Sequence, residues 1–269
     1  MKFKNNFFRN YLCHAPTPLA LERSLECELL SQEKFNHPIL DIGCGEGLFA
    51  FILFQEKIDT GVDPDEKELK RAGQYGMYDE LIKCYGQQIP KEDKTFNTIF
   101  SNSVLEHIPE IEKVLKEVHR LLTNEGSFYI TVPTNLFDHY TVLYRVLLVL
   151  RIKSAERYRL FFNKFWKHYH YYDEYGWEKL LNRNGFQVIR VKEYGTKNIC
   201  LFDDFLTPFS FLSFIKKKMF NRWMIFPLLR GITTAPLRLF VSKKTIKQAI
   251  EINKGGLIFF HLKKMKYEN

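Results

Sequence analysis

The sequence predicts an α/β fold on a doubly wound, mostly parallel sheet, and three observations carry that reading. Apolar runs of strand length alternate with helical stretches from residue 39 to residue 132. The first strand, Ile39-Leu40-Asp41-Ile42, runs into Gly43-Cys44-Gly45-Glu46-Gly47 and straight out into a helix. The second, Ile58-Asp59-Thr60-Gly61-Val62, ends in Asp63-Pro64, which puts a carboxylate at a strand tip where it can accept both hydroxyls of a ribose.

The elements follow in order. Thr17 with Pro18 in the first turn opens a helix to about Glu33, with Leu21, Leu25 and Leu29 on one face that packs against the sheet. Next come strand 39–43, helix 47–56, strand 58–62, helix 65–75, a weaker strand near 80–84, strand 97–101, helix 109–121 and strand 127–132. After Pro133 the alternation lapses. Tyr140 to Leu150 is strongly apolar, and Tyr158 to Tyr172 is dense in aromatics and bases. An ordinary helix resumes near Tyr175 and stops at Asn184-Gly185, a glycine-type cap, before a strand over 186–191.

The glycine turn indicates what binds. Glycine supplies unusual backbone angles and leaves no Cβ in the way, and a helix starting near Gly47 turns unpaired N–H groups and a positive dipole end toward an anion. A nucleotide-like ligand with a carboxylate or phosphate fits there. The dinucleotide fingerprint spaces its glycines G-x-G-x-x-G after a wholly apolar strand. Here the spacing is G-x-G-x-G, and Asp41 stands two residues ahead of the first glycine, which suits a ligand that also carries a cation.

With these residues in view, the chain resembles the class I S-adenosylmethionine-dependent methyltransferases, in particular their broad type 11 group. The likeness continues in register through Phe96-Asn97-Thr98-Ile99-Phe100-Ser101-Asn102-Ser103-Val104-Leu105-Glu106-His107-Ile108-Pro109, like that family's fourth strand and following helix. It continues through Leu121-Leu122-Thr123-Asn124-Glu125-Gly126-Ser127-Phe128-Tyr129-Ile130-Thr131-Val132-Pro133, like its fifth-strand motif. The resemblance covers about residues 37 to 194 and implies a seven-stranded sheet that closes with one antiparallel strand, for which Gly256 to Leu262 is the candidate. It divides the chain into an N-terminal helical segment (1–36), an S-adenosylmethionine-binding core (37–194, with a helical, aromatic-basic insertion over 134–172 after the fifth strand), a helical, amphipathic basic insertion (195–254) between the last two strands, and a closing strand and tail (255–269).

The same resemblance assigns roles. Gly43, Cys44, Gly45 and Gly47 hold the methionyl part of the cofactor and Asp41 reaches its ammonium indirectly; Asp63 and Pro64 meet the ribose, and Ser101 and Asn102 lie near the sulfur. The loop Tyr85-Gly86-Gln87-Gln88 lacks the acid that often reads adenine, so Gln87 or backbone takes that place. Ser103-Val104-Leu105-Glu106-His107 is similar to the E-x-x-E-H helix of quinone O-methyltransferases, but Ser103 replaces the first acid. With one hard oxygen ligand lost, no metal is expected. Methyl transfer from a sulfonium needs alignment, exclusion of water and, for a hydroxyl acceptor, a base. His168 and His170 precede a helix that in this fold starts beside the methyl, and with His107 they are the candidate bases.

Charge points to a partner. The net charge of +9 is concentrated in two segments: seven bases against two acids over Thr134–Tyr172, and nine against three over Ile199–Ile252. A localised surface that meets something anionic is expected. The Asn/Asp-Pro-Pro-aromatic turn used by base-modifying enzymes is missing at Ser101-Asn102-Ser103-Val104, so nucleic acid is not the expected partner. Residues 205–240 interleave phenylalanine and tryptophan with lysine and arginine, and no run reaches the ~20 uncharged apolar residues of a membrane span. An interfacial segment on anionic lipid is expected there, with a lid over the active site as the alternative. Five scattered cysteines without a C-x-x-C pair indicate neither a disulfide framework nor structural zinc, and Met1 to Pro18 contains no continuous apolar h-region. A cytoplasmic enzyme, peripheral on the inner membrane face and acting on a small-molecule or lipid-linked substrate, is the resulting expectation.

Overall fold

In the computed structural model, which describes residues 1–151, 153–210 and 243–265 and isolated positions between 211 and 242, seven strands form one sheet in the order β3-β2-β1-β4-β5-β7-β6. These are β1 (Ile39–Ile42), β2 (Ile58–Asp63), β3 (Tyr78–Lys83), β4 (Phe96–Asn102), β5 (Leu122–Pro133), β6 (Phe186–Tyr194) and β7 (Leu257–Lys264). The first five pair in parallel, and β7 runs antiparallel between β5 and β6. The expected closing strand is thus present and sits inside the sheet.

Parallel strands need crossovers, and the helices supply them on both faces. α5 (Ile111–Leu121) turns Ile111, Val114, Leu115, Val118 and Leu121 inward at helical spacing. With α8 (Glu174–Arg183), whose Trp177 is fully buried, it covers one face over Ile99, Phe128, Ile130 and Phe260. The alternate residues Phe100, Tyr129 and Phe259 point to the other face. There α1 (Phe7–His14), α2 (Thr17–Leu30) and α3 (Leu48–Leu53) pack. α4 (Glu66–Tyr75) follows β2 and ends at Gly76 in the left-handed region.

The two segments outside the regular alternation are helical. Between β5 and α8 lie α6 (Val142–Val149) and α7 (Ala155–Trp166); between β6 and β7 lie α9 (Lys197–Leu206) and α10 (Lys243–Ile250). Helical insertions were expected at both places, but sequence periodicity did not bound α6, α7 and α9 individually, nor did it give α1. Among the described residues no helix is long and apolar enough to cross a membrane.

Candidate active site

The site forms where β1, β2 and β4 end, at the point where the strand order reverses. Gly43, Gly45 and Gly47 all hold positive φ (75°, 52° and 77°). At Gly43 a Cβ would stand 2.6 Å from Val104 and at Gly47 3.0 Å from Ala72, whereas at Gly45 it would meet nothing within 4 Å. The outer glycines therefore allow close packing, and the middle one bares its backbone to an open space. That space is a cleft of about 260 Å³ whose walls include Asp41, Gly45, Asn102 and Arg23.

Asp63 is fixed by two backbone donors. The Gly45 N–H gives a bond of 3.0 Å to one carboxylate oxygen and the Asp65 N–H one of 2.8 Å to the other, leaving lone pairs on both for a diol. Burial nevertheless raises its pKa. Asp41 is buried and accepts from the Tyr78 hydroxyl at 2.7 Å; burial pushes it to about 7 against that hydrogen bond, with Asp63 adding to the rise. Beyond Asp63 a wider hollow of about 570 Å³ opens past Pro64, Lys83 and the exposed Tyr85. Gln87 is exposed in the same loop.

The sequence reading missed the pair beneath the cleft. Arg23 on α2 reaches the cleft wall, its Nη1 at 2.8 Å from both carboxylate oxygens of Glu26 and 3.6 Å from Glu22. Burial works against its charge, but Glu26 and Glu22 more than offset that and raise its pKa. Glu26, with a fully buried side chain, also accepts from Asn102 Nδ2 and Ser103 Oγ at 2.7 Å each and from the Tyr194 hydroxyl at 3.3 Å. Ser103, at φ 49°, is clamped further by its N–H to the Thr131 carbonyl at 3.0 Å. One carboxylate thus ties α2 to the strained turn after β4. No local signal marked the pair, because the burial of α2 nearly all round shows only in the fold.

The expected sulfur neighbours are placed differently from each other. Asn102 lines the cleft, with its amide turned to Glu26 and its carbonyl accepting from Thr131 at 2.9 Å. Ser101 is buried and donates to the Ile42 carbonyl at 3.1 Å, joining the ends of β1 and β4.

Of the three histidines, His170 has both ring nitrogens engaged, by the Ile108 carbonyl and the Tyr172 hydroxyl, each at 3.0 Å. His168 is held at Nδ1 by the Asn163 carbonyl oxygen at 3.2 Å, while Asn163 donates to the buried Asp138 at 2.6 Å. This chain makes Nδ1 the donor and leaves Nε2 as the acceptor nitrogen; none of His107, His168 and His170 is among the residues that line the cleft. Burial, with His107 beside it, lowers its pKa to about 4, so the ring is neutral at pH 7. His107 stacks against it at 5.2 Å, sets Nδ1 against the Lys167 carbonyl and has its own pKa lowered by burial. Next to it Glu106 is 3% exposed, and burial pushes its carboxyl to about 8.

The insertion between β6 and β7 reaches the cleft. Lys217 pairs with Glu46 at 3.5 Å and Glu68 at 3.2 Å, and lies 4.6 Å from the Trp223 ring centre; the Trp223 N–H donates to Glu46. Lys217 therefore faces the glycine loop, whereas a lipid contact would need it outward; Lys216 and Lys218 lie outside the described residues. No cluster of three or more metal-ligating side chains occurs among the described residues.

Comparison with known proteins defines the class. A family model described as "Methyltransferase domain" matches residues 9–191, and the chain belongs to that family. The matched residues form an S-adenosylmethionine-dependent methyltransferase domain. The bared Gly45 backbone, the Asp63 carboxylate at the tip of β2 and the cationic Arg23 fit that cofactor. Relatives include a sterol 4-C-methyltransferase of Caenorhabditis elegans, 31% identical over 141 residues (46% of this chain, 42% of that one). Another is a ubiquinone biosynthesis O-methyltransferase of Glaesserella parasuis, 32% identical over 120 residues (40% and 50%). The chain thus spans about half the length of these curated relatives. A Thermotoga maritima S-adenosylmethionine-dependent methyltransferase structure shares the fold, with a TM-score of 0.55 at 16% identity over 91% of both chains.

Asp63→Ala is expected to weaken S-adenosylmethionine binding by about 2 kcal/mol, because two ribose hydroxyls lose a charged acceptor. Calorimetry giving unchanged affinity in a folded variant would remove Asp63 from the site.

Proposed function

We propose that the chain methylates a hydroxyl of an amphipathic or lipid-linked acceptor, such as a glycan intermediate or a quinone precursor, at a membrane face. The observation that carries this reading is the neutral His168 imidazole, whose Nε2 is left as the acceptor nitrogen by the chain through Asn163 to Asp138. The relatives named for sterol and ubiquinone chemistry support an apolar acceptor.

The cofactor supplies a methyl group already activated on a sulfonium, so the protein's work is alignment and dryness. The glycine loop would hold the methionyl backbone, Arg23 its carboxylate, Asp63 the ribose and the exposed Tyr85 the adenine. Lys217 and Trp223 cover the loop and keep water out. His168 Nε2 takes the acceptor proton, with His107 against its ring. Replacing His168 by alanine is expected to lower kcat about 10²-fold with cofactor affinity intact. His170→Ala, which removes a tether, is expected to lower the melting temperature more than kcat. A parallel fall of cofactor binding and activity in His168→Ala would mark that residue as structural instead.

Lys217 gives a second reading its support: a methyltransferase for a water-soluble acceptor whose insertion is only a lid. Mass spectrometry of lipid and aqueous extracts from cells with and without the protein separates the two. A methylated species confined to the lipid phase supports the first; one confined to the aqueous phase overturns it.

A further inference from the structure

The α6–α7 hairpin has a surface of unusual composition. Its inner side is tightly fixed. Asp138, buried, accepts from Arg159 Nε at 2.9 Å and from Asn163; the Tyr144 hydroxyl meets Glu156 at 3.2 Å, and Phe162 packs against Phe137 and His168 at about 6 Å. Val142 N–H is capped by Asp204 of α9 at 2.8 Å. A hairpin so anchored presents a defined outer face.

That face is apolar and basic. Along α7 the positions 157, 160, 161, 164 and 165 fall on one side at helical spacing, opposite the buried Ala155, Phe162 and Asn163. They are Arg157, Leu160, Phe161, Lys164 and Phe165, with Leu160, Phe161 and Phe165 67%, 62% and 64% exposed. On α6 the residues Leu143, Val146 and Val149 are exposed at the matching spacing. Arg151, Lys153 and Lys167 at the two ends of the α7 segment are exposed as well. The one acid of the hairpin's own helices, Glu156, is paired with Arg159 at 2.7 Å.

A water-facing helix is expected to be polar on its outer side; here the outer side carries more large apolar groups than the inner one, ringed by bases. A helix of 12 residues is too short to span a bilayer, so a membrane contact made through it would be interfacial. We propose that the α6–α7 hairpin docks on a bilayer face carrying anionic headgroups, with Leu160, Phe161 and Phe165 entering the acyl boundary and Arg157, Lys164 and Lys167 meeting the phosphates. This rests on the reading of an amphipathic or lipid-linked acceptor and adds where the membrane is met. Because α7 leads directly into His168, docking there sets the base beside the bilayer surface.

Sedimentation of the full chain with vesicles tests it. Binding to phosphatidylcholine vesicles containing phosphatidylserine is expected, weaker on phosphatidylcholine alone and falling as salt rises. The triple change Leu160→Ser, Phe161→Ser, Phe165→Ser is expected to weaken vesicle binding at least tenfold while S-adenosylmethionine affinity and melting temperature stay put. Changing Arg157 and Lys164 to glutamine is expected to cost about fivefold per base on anionic vesicles only. Vesicle binding that ignores both sets, or is absent in the parent chain, overturns the proposal. So does a concentration-dependent dimer that the serine variant abolishes without any vesicle binding, which would assign the face to a second copy. The vesicle assay needs no turnover: binding without a methylated lipid product supports the docking face and refutes the acceptor reading.

Discussion

Replacing Glu26 by alanine is expected to destabilise the protein by about 3–5 kcal/mol and to abolish measurable S-adenosylmethionine binding. The loss has two parts. Arg23 keeps only the longer contact to Glu22, so a partly buried guanidinium is left short of its counter-charge. Asn102, Ser103 and Tyr194 also lose the acceptor that holds them, and the left-handed turn at Ser103 loses a clamp. Denaturant unfolding and calorimetry measure the two effects. The paired change Arg23→Met with Glu26→Leu is expected to recover much of the stability, because it removes a buried ion pair instead of breaking one, while leaving cofactor binding poor. Full binding in the stable double variant would exclude Arg23 as a ligand for the cofactor carboxylate.

The second large effect concerns pH. Glu106 has one carboxylate oxygen buried without a hydrogen-bond partner, and burial raises its pKa from 4.5 to about 8. Below pH 4.5 both folded and unfolded chains hold the proton and nothing is lost. From there upward the unfolded chain releases it and the folded one does not, so stability falls until about pH 8 and then levels. Glu106→Gln removes that fall. Its advantage over the parent is expected to be near zero at pH 4 and to reach about 4 kcal/mol at pH 8. Equal pH profiles for both proteins would show that Glu106 ionises normally. Retained activity in the stabilised variant would show that the buried acid is not needed for the reaction.

The glycine loop, Asp63 and the strands of the sheet were legible because each has a local signature: positive φ demands glycine, a crevice ligand demands an acid at a strand tip, and buried parallel strands are continuous apolar runs. Arg23 and Glu26 were not. α2 was read from its leucine stripe, and a charge three residues from its partner on a helix looks like any solvated pair until the burial of both sides is known. The bounds of α6 and α7 within the expected helical insertion were hidden for a related reason. The hairpin's outer face is as apolar as its inner face, so no contrast marks the helical period. Lys217 meets Glu46 across more than 170 residues, and no periodicity in either segment encodes that distance.

β7 has a consequence for how the chain comes into being. Its neighbours β5 and β6 are both synthesised before it, and neither pairs with the other. As the polypeptide leaves the ribosome, the cofactor half of the sheet can assemble while β5 and β6 wait with open hydrogen-bonding edges, a state prone to wrong pairing. Residues 257–264 then join β6 to the rest of the sheet by pairing with both strands, bringing Phe259 to one face and Ile258 and Phe260 to the other. Nascent chains stalled before residue 257 are therefore expected to be protease-sensitive and held by chaperones, and chains extended beyond residue 264 to be released and resistant.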